Sequence, residues 1–351
     1  MSEKISDRMI EDSVVGSSNP LVGLAHREVS KRKDTDVAEV AALSSKLADM
    51  PDYEVVLRGT GACAGCPSPL GLRIVGKVLG PNTVCVMTPS CTVASTGMMP
   101  KTCFDIPILN CAFASAAATA SGITGAYDAM IEKGTLSGPK PTVITWIGDG
   151  GTYDIGLQGI SAAAERNEDF IYFCYNNEAY GNTGMQRSGA TPRHAITTTT
   201  PGGKTENKKN MPILMLEHNC AYVATASVAF PQDFFRKVAK AKEMKGFRYI
   251  EMHAPCGPGW KIPWSETIDM GKRAVKSGAW ALWESEHGNF TINPPTLQLA
   301  QGKAKPASLE EYVELQGRFD IVNKSPEKDK IIAEMKGRIQ LDLQRLLARL
   351  H

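Results

Sequence analysis

The sequence has very little net charge, because 39 Lys and Arg residues face 37 Asp and Glu residues and leave a formal charge of +2. This balance excludes the basic surface of a nucleic-acid-binding protein and the acidic composition of a disordered chain. With 42% hydrophobic and 22% charged residues, the 351-residue chain has the composition of a globular protein with a large core. Its length fits more than one average domain and fewer than three.

The sequence also lacks a secretory signal and a convincing membrane span. The first residues, MSEKISDRMIEDS, contain no apolar run. Residues 108–127 are free of charge and long enough to cross a bilayer, but Ala, Ser, Thr and Gly dominate them, so their transfer into lipid is unfavourable. We expect a cytoplasmic protein without membrane contact, and a buried helix with a face of small residues in this segment.

An odd number of cysteines, nine, without a secretory signal argues against a disulfide framework. In a reducing compartment these residues are thiols or metal ligands. Five lie in apolar or small-residue surroundings, which predicts buried side chains without a metal: Cys85, Cys103, Cys111, Cys174 and Cys220.

After residue 53, apolar β-branched runs alternate with helical patterns, which predicts an α/β fold with a parallel sheet flanked by helices. The predicted strands cover residues 83–87, 142–147, 170–175, 222–225 and 249–253. The predicted helices cover residues 112–133, 153–166 and 231–245.

We divide the chain into three parts: residues 1–52 form an N-terminal extension, residues 53–265 the core domain, and residues 266–351 a C-terminal extension. The first part is polar, and residues 37–47 could form a short helix. In the third part an apolar stripe predicts an amphipathic helix that packs on its own domain or on another subunit. The stripe comprises Ile331, Met335, Ile339, Leu343, Leu346, Leu347 and Leu350.

The motif Gly148-Asp149-Gly150-Gly151 ends one predicted strand, and Asn176-Asn177 ends the next. In a right-handed βαβ unit both strand ends lie at the same edge of the sheet, where α/β folds bind ligands. Asp149 and Asn177 should therefore converge. Their hard oxygen ligands suit Mg²⁺, the glycines let the backbone approach a diphosphate, and the N-terminus of the following helix attracts an anion. The sequence thus predicts a site for magnesium and a diphosphate.

Four further cysteines lie in predicted loops: Cys63 and Cys66 form a CxxC motif, Cys91 follows a strand, and Cys256 lies in APCGPGW. A second CxxC motif is absent, which disfavours a zinc ribbon. Four thiolates on loops are compatible with a [4Fe–4S] cluster, and the spacing alone leaves both zinc and iron–sulfur open.

Several segments together resemble the β subunit of 2-oxoacid:ferredoxin oxidoreductases, the family of the pyruvate synthases. GDG followed by NN is similar to the thiamine-diphosphate motif. The other segments are CAGC with the following Cys91, NNEAYGNTGMQRSGATP, TTTTPGGK, YVATASVAFP and APCGPGW, and the likeness covers about residues 55–265.

The resemblance implies that residues 53–265 bind thiamine diphosphate and one [4Fe–4S] cluster. The implied cofactor-binding residues are Gly148, Asp149, Gly150, Gly151, Asn177, Asn182 and Thr183. The implied metal ligands are Asp149, the side chain of Asn177 and the carbonyl of Ala179 for Mg²⁺, and Cys63, Cys66, Cys91 and Cys256 for the cluster. Asn182 would have a catalytic role toward the substrate carboxylate. Lys204, Lys208 and Lys209 are interpreted as a solvated charge run, with contact to a CoA phosphate as the alternative.

The activity implied is that of a subunit of a CoA-acylating oxidative decarboxylase, in which a 2-oxo acid, CoA and an oxidised acceptor give acyl-CoA, CO2 and a reduced acceptor. The cluster would take electrons from the enamine. Because the core domain is too short for a second thiamine domain, an α-type partner subunit should supply the Glu that faces the aminopyrimidine. No C-x₂-C-x₂-C-x₃-C run occurs, so γ- and δ-type subunits should connect to ferredoxin or an NAD-linked acceptor, the δ-type through ferredoxin-type clusters.

Residues 88–102, which should wall the substrate pocket, do not match the pyruvate enzymes well, so pyruvate, phenylglyoxylate and oxalate all remain candidate substrates. Two other functions stay open. A zinc-stabilised interaction module would explain the cysteines and leave GDG–NN without a role. A non-oxidative thiamine-dependent decarboxylase subunit would explain GDG–NN and leave the four cysteines idle.

Overall fold

The computed structural model describes residues 51–98 and 100–350. The predicted helix at residues 37–47 lies outside the described residues. The described strands are β1 Thr83–Met87, β2 Gly97–Met98, β3 Lys101–Thr102, β4 Ile108–Asn110, β5 Thr142–Gly148, β6 Ile171–Asn176, β7 Tyr222–Ser227, β8 Arg248–His253, β9 Trp283–Glu286 and β10 Asn289–Ile292. The described α-helices are α1 Pro67–Leu79, α2 Cys91–Thr96, α3 Ala116–Glu132, α4 Leu157–Glu165, α5 Met211–Glu217, α6 Pro231–Glu243, α7 Gly257–Trp260, α8 Thr267–Lys276, α9 Thr296–Ala300, α10 Leu309–Glu314, α11 Asp320–Asn323 and α12 Lys328–Leu347.

Eight strands form one sheet in the order β10-β9-β7-β8-β6-β5-β1-β4. From β4 to β7 in this order, all pairs of adjacent strands are parallel, whereas β9 is antiparallel to β7 and the β9–β10 hairpin forms an antiparallel edge. Strands β2 and β3 form a separate antiparallel ribbon. The predicted α/β class with a parallel sheet flanked by helices is confirmed.

The five predicted strands all occur, because their apolar runs are buried on both faces, as parallel sheets require. Strands β1, β6, β7 and β8 are buried along their whole length. On one face, Val75 of α1 and Phe234 of α6 join a core cluster that includes sheet residues. On the other face, Ala117 of α3 and Ile160 of α4 do the same. The sheet is thus a rigid support for whatever binds at its edge.

Residues 108–127 form β4 and the first part of α3. The predicted face of small residues is confirmed, but the helix is not fully buried. Helix α3 buries only Ala116, Ala117, Ala120 and Thr124, whereas Met130 and Ile131 near its end are exposed. Helix α3 therefore packs one side against the sheet and exposes the other. Of the helices in the described part of the chain, none combines the length and the apolarity that crossing a bilayer requires.

The C-terminal amphipathic helix is α12, and its stripe packs on the same chain. Ile331, Met335 and Ile339 of the stripe are half-buried against a core cluster that contains Trp280 and Phe319. Leu346 is buried, whereas Leu350 is exposed. The sequence pattern missed α1 and most of the elements after residue 264. Apart from α8, the missed elements after residue 264 are three to six residues long and therefore too short to give a clear periodicity, whereas α1 has 13 residues.

Candidate functional site

The ends of β5 and β6 bring Asp149 and Asn177 together, as their spacing predicts. The two strands are adjacent and parallel, with Gly148 beside Tyr175. The backbone N–H of Asn177 donates to Asp149 Oδ1 at 3.3 Å. The hydroxyl of Ser188, which follows on the long loop after β6, donates to Asp149 Oδ2 at 2.5 Å. Both carboxylate oxygens are therefore oriented.

The carboxyl group of Asp149 is completely buried. The two groups that donate hydrogen bonds to it, the N–H of Asn177 and the hydroxyl of Ser188, are neutral. Burial raises the pKa of Asp149 well above its usual range, although the hydrogen bonds from Ser188 and Asn177 act in the opposite direction. None of the ion pairs in the described part of the chain includes Asp149. A buried carboxylate in such surroundings favours a cation, because a cation offsets the cost of removing the charge from water.

The turn after β6 is fixed by its own side chains and by an indole. Asn177 Oδ1 accepts from the N–H of Ala179 at 3.3 Å, and the carbonyl of Asn177 accepts from Trp260 Nε1 at 2.9 Å. Asn176 Oδ1 accepts from the N–H of Glu178, whose φ of 63° lies in the left-handed region. The residues implied as magnesium ligands therefore lie in one well-ordered turn next to Asp149.

The glycines after Asp149 are required by close packing. At Gly150, a Cβ atom would collide with the ring of Tyr180, and at Gly151 it would lie 2.8 Å from Cγ2 of Ile147. The hydroxyl of Thr88 is buried beside this turn and has no hydrogen-bond partner. A free donor next to glycine backbone suits an anionic oxygen such as that of a phosphate.

The helix after this turn differs from the prediction at its start. A π-helical turn, Gly151–Ile155, precedes α4, so the regular helix begins at Leu157 rather than at residue 153. Asn182 and Thr183 lie on an exposed turn closed by a 3.1 Å hydrogen bond from the N–H of Gly184 to the carbonyl of Gly181. The structure thus places these two predicted residues at the surface, apart from the buried Asn pair.

The four loop cysteines are neighbours. The pKa of Cys91 is raised to about 12, first by burial and then by the thiols of Cys256, Cys66 and Cys63. Burial likewise raises the pKa of Cys256 to about 11, with Cys66 and Cys63 again contributing. Cys63 and Cys66 are joined by a hydrogen bond from the N–H of Cys66 to the carbonyl of Cys63 at 3.0 Å. We call these four residues the cysteine group.

The cysteine group adjoins the Asp149 turn through Gly181. A Cβ atom at Gly181 would lie 3.0 Å from Nδ2 of Asn177 and 3.0 Å from the sulfur of Cys91. The Asp149 carboxyl also acts electrostatically on the Cys91 thiol. The two constellations that the sequence suggested separately therefore form one region of the molecule.

The other cysteines lie apart from this group. Cys85 and Cys174 are fully buried in strands β1 and β6, and for Cys85 burial alone raises the pKa. The backbone of Cys103 pairs with Thr96, and the pKa of its thiol is raised by burial without a contribution from another cysteine. Within residues 51–98 and 100–350, no three His, Cys, Asp or Glu side chains are arranged to hold a single metal ion.

The structure also reveals residues that the sequence pattern did not single out. Ser188 orients Asp149, and Lys204 supports the Ser188 turn, since its ammonium donates to the carbonyls of Thr191 at 2.7 Å and Ser188 at 3.4 Å. Burial lowers the pKa of Lys204 to about 8. The interpretation of Lys204 as part of a solvated charge run is wrong, because the side chain is buried.

Neither Lys208 nor Lys209 is simply solvated. Lys208 Nζ lies 3.5 Å from the buried carboxylate of Glu178, and Lys209 Nζ lies 2.8 Å from Asp154.

The sequence signal that could have pointed to Ser188 is the segment QRSGATP, residues 186–192, in which it lies. The segment does not reveal which carboxylate the Ser188 hydroxyl meets.

Comparisons with known proteins agree with this geometry. The family described as "Thiamine pyrophosphate enzyme, C-terminal TPP binding domain" matches residues 93–252. The chain is 44% identical over 275 residues to the pyruvate synthase subunit PorB of Methanothermobacter marburgensis, an alignment that covers 77% of this chain and 91% of that protein. It is 39% identical over 292 residues to the ketoisovalerate oxidoreductase subunit VorB of Pyrococcus furiosus, covering 82% and 92%.

A third relative, the pyruvate synthase subunit PorB of Thermotoga maritima, is 36% identical over 301 residues, covering 83% of this chain and 91% of that protein. These identities extend over most of both chains, and the thiamine pyrophosphate domain includes Asp149 and Asn177. The resemblance found in the sequence is confirmed. This chain is a subunit of a 2-oxoacid oxidoreductase and belongs to the thiamine-diphosphate-binding β subunits of the 2-oxoacid:ferredoxin oxidoreductase family.

Proposed function

We propose that this chain supplies the thiamine-diphosphate half of a CoA-acylating oxidative decarboxylase of small aliphatic 2-oxo acids. One observation supports this most: the buried Asp149 carboxyl and the Cys91 thiol both lie next to the Asn177–Gly181 turn. A thiamine cofactor supplies decarboxylation, and an iron–sulfur cluster supplies one-electron oxidation. Adjacent sites for the thiamine cofactor and the cluster would allow decarboxylation to be coupled to electron transfer.

Asp149, Asn177 and the carbonyl of Ala179 are proposed to hold Mg²⁺. These ligands fit Mg²⁺, since all three offer hard oxygens. Asp149 is also a buried carboxyl whose hydrogen bonds come from neutral groups, the N–H of Asn177 and the hydroxyl of Ser188. The backbone at Gly148, Gly150 and Gly151 and the free hydroxyl of Thr88 would face the diphosphate. Asn182 and Thr183, on their exposed turn, would reach the cofactor and the substrate from the open side.

Cys63, Cys66, Cys91 and Cys256 are proposed to hold one [4Fe–4S] cluster. A four-iron cluster keeps its thiolates farther apart than a single zinc ion does, because each thiolate binds a different iron atom. The four thiols act electrostatically on one another, which supports one shared cofactor. Because the chain belongs to a family of oxidoreductases, we propose a redox-active cluster at these thiols rather than zinc.

The substrate proposal rests on the relatives. Those reported above are named for pyruvate and ketoisovalerate, which are both aliphatic. Residues 88–98 and 100–102 include α2 and strands β2 and β3, and Thr88 adjoins the glycine turn. Phenylglyoxylate and oxalate, which the poor match of this segment leaves open, are the comparison substrates of the test below.

An α-type partner is proposed to complete the site with the Glu that faces the aminopyrimidine. The γ- and δ-type subunits are proposed to pass electrons on to ferredoxin or an NAD-linked acceptor. Large apolar side chains that a partner could cover are exposed on segments near the motifs. They are Met98, Leu109, Ile155 and Trp264. Such exposure is typical of interfaces.

We expect the chain purified alone to give no measurable turnover, because the catalytic Glu lies on the partner. The assay supplies thiamine diphosphate, Mg²⁺, CoA and an artificial electron acceptor, with pyruvate, ketoisovalerate, phenylglyoxylate and oxalate as separate substrates. The complex purified from its source should be brown and oxidise an aliphatic acid fastest. Comparable turnover by the isolated chain would contradict the half-site, and a colourless complex that releases aldehyde would indicate a non-oxidative decarboxylase.

Replacing Ser188 with alanine should lower the affinity of the complex for thiamine diphosphate about tenfold, the usual cost of losing a residue that orients a metal ligand. The physical reason is that Asp149 loses its 2.5 Å hydrogen bond. Titration calorimetry at saturating Mg²⁺ measures the effect. Ser161→Ala, which removes a hydroxyl that meets His218 instead, is the matched control and should bind as the wild type does.

A further inference from the structure

A cavity of about 530 Å³ lies behind the Asn176–Asn177 turn, between the sheet and the C-terminal helices. Its wall includes Glu178, Glu251 of β8, Trp280 and much of α12. Neither Asp149, Asn177 nor any member of the cysteine group is among the described residues that line it. The cavity is therefore separate from the proposed thiamine site, although both adjoin the same turn. Its volume lies within the range of small-molecule pockets, about 300–1,000 Å³.

The wall of this cavity carries more cations than carboxylates. The lining cations are Arg193, Lys208, Lys209, Arg318, Arg338, Arg345 and Arg349, and the lining carboxyl groups are Glu178, Glu251, Glu334 and Asp342. Three cations have a carboxylate of their own: Arg193 pairs with Glu334, Lys209 with Asp154 and Arg349 with Glu217. Those three pairs add no net charge.

The remaining four cations form two trios, each made of two cations and the one carboxylate that they share. Arg318 lies 2.7 Å and Lys208 3.5 Å from Glu178, deep in the wall. Arg338 and Arg345 lie 3.0 Å and 3.5 Å from Asp342, on α12. Each trio thus leaves one surplus positive charge.

Glu251 is bound by neutral donors, because the hydroxyls of Tyr153 and Tyr249 and the amide of Asn176 donate to it at 2.5–2.7 Å. Even when its negative charge is set against the two surplus cations, one positive charge remains. The lining of the cavity is therefore positive, with cations on two sides.

Arg318 has hydrogen-bonding capacity to spare. Its side chain is 3% exposed, its Nε donates to Gln316 at 2.8 Å, and its guanidinium stacks on Trp260 with 3.6 Å to the ring centre. Its Nη2 is buried and has no hydrogen-bond partner, which is uncommon for a charged donor. An anionic group in the cavity would satisfy this nitrogen.

Between the two positive trios the wall is apolar and aromatic. Lys208 Nζ lies over the ring of Trp280, 5.3 Å from its centre, and Ile213, Leu309 and Ile339 line the same space. We propose that the cavity binds a small organic anion, a carboxylate or phosphate attached to an apolar body. The anionic group lies against Arg318 and Lys208, and the apolar body lies against Trp280.

The test compares two fluorescent probes that differ by one sulfonate group, 8-anilinonaphthalene-1-sulfonate and the neutral N-phenyl-1-naphthylamine. Both are added to the assembled enzyme, where partner-facing apolar surface is covered. The sulfonate should bind one site per chain. Lys208→Met, which keeps the apolar stem, should weaken the sulfonate about tenfold and the neutral probe by less than about twofold. Lys272→Met, in an exposed pair with Asp269 away from the cavity, is the control and should change neither.

Arg345→Gln provides a second variant on the opposite side of the cavity and should also weaken the sulfonate selectively. Displacement of the sulfonate by hexanoate identifies a carboxylate ligand, and displacement by AMP identifies a phosphate. The proposal is overturned if both variants bind the sulfonate as tightly as the wild type does. It is also overturned if neither anion displaces the probe, or if hexanol displaces it as well as hexanoate does.

Discussion

Replacement of Asp149 with alanine is expected to abolish binding of thiamine diphosphate while the protein still folds. Mg²⁺ joins the diphosphate to the protein through few ligands, and Asp149 is the single carboxylate among the three proposed here. Its loss should lower cofactor affinity more than about a hundredfold, beyond the tenfold effect of Ser188→Ala. Titration calorimetry of the purified complex with cofactor and Mg²⁺ measures this directly.

The fold should survive this replacement because the carboxyl group is buried with neutral donors and without an ion pair among the described residues. Removing a charge that is costly to bury does not leave an opposite charge unpaired. Circular dichroism and the melting temperature of the cofactor-free complex check the fold. Asp128→Ala is the control, since Asp128 is an exposed carboxylate of α3 that pairs with Lys140 at 2.6 Å. Unchanged cofactor affinity in Asp149→Ala would refute the assignment.

The position of Asp149 and Asn177 could be predicted because it follows from local rules. Each residue ends a buried apolar run, and successive parallel strands in this chain, β5 and β6, are adjacent in the sheet. The handedness of the connection then places both ends at one edge. The glycines were recognised for the same reason, although the structure adds that Tyr180 and Ile147 leave no space for a side chain there.

Ser188 and the buried pair of Glu178 with Arg318 could not be predicted in this way. Ser188 follows Asp149 by 39 residues, and Arg318 follows Glu178 by 140, and both approach along irregular chain. Such contacts depend on how loops fold over a finished sheet. Hydrophobic periodicity carries no information about them, since it reports only which face of a regular element is buried.

The cysteine group lies between these two cases. The likeness to the family selected Cys63, Cys66, Cys91 and Cys256, whereas spacing left zinc and iron–sulfur open. The structure adds a physical distinction, because other members of the group contribute to the raised pKa values of Cys66, Cys91 and Cys256. Cys85 and Cys103 have no such contribution.

Serine in place of Cys63, Cys66, Cys91 or Cys256 should remove most of the iron and the oxidative activity of the complex. Thiolate is the preferred ligand of iron in these clusters, and the loss of one of four ligands makes a cluster labile. Iron and acid-labile sulfide bound by this chain should fall from about four atoms of each per chain toward zero. Visible absorption of the anaerobically purified complex, corrected for clusters on partner subunits, gives the same information.

Two further replacements separate loss of a ligand from loss of packing. Cys111→Ser keeps a donor to the carbonyl of Met87, which the thiol meets at 3.5 Å, and should leave the iron content unchanged. Cys174→Ser, in the buried strand β6, could lower stability but should not remove iron from the folded complex. If Cys85→Ser or Cys103→Ser removes iron while Cys91→Ser does not, Cys91 is the wrong third ligand. Because Cys91 lies next to Gly181 in the Asn177 turn, its loss should alter thiamine diphosphate affinity as well, whereas loss of the exposed Cys63 should affect the cluster alone.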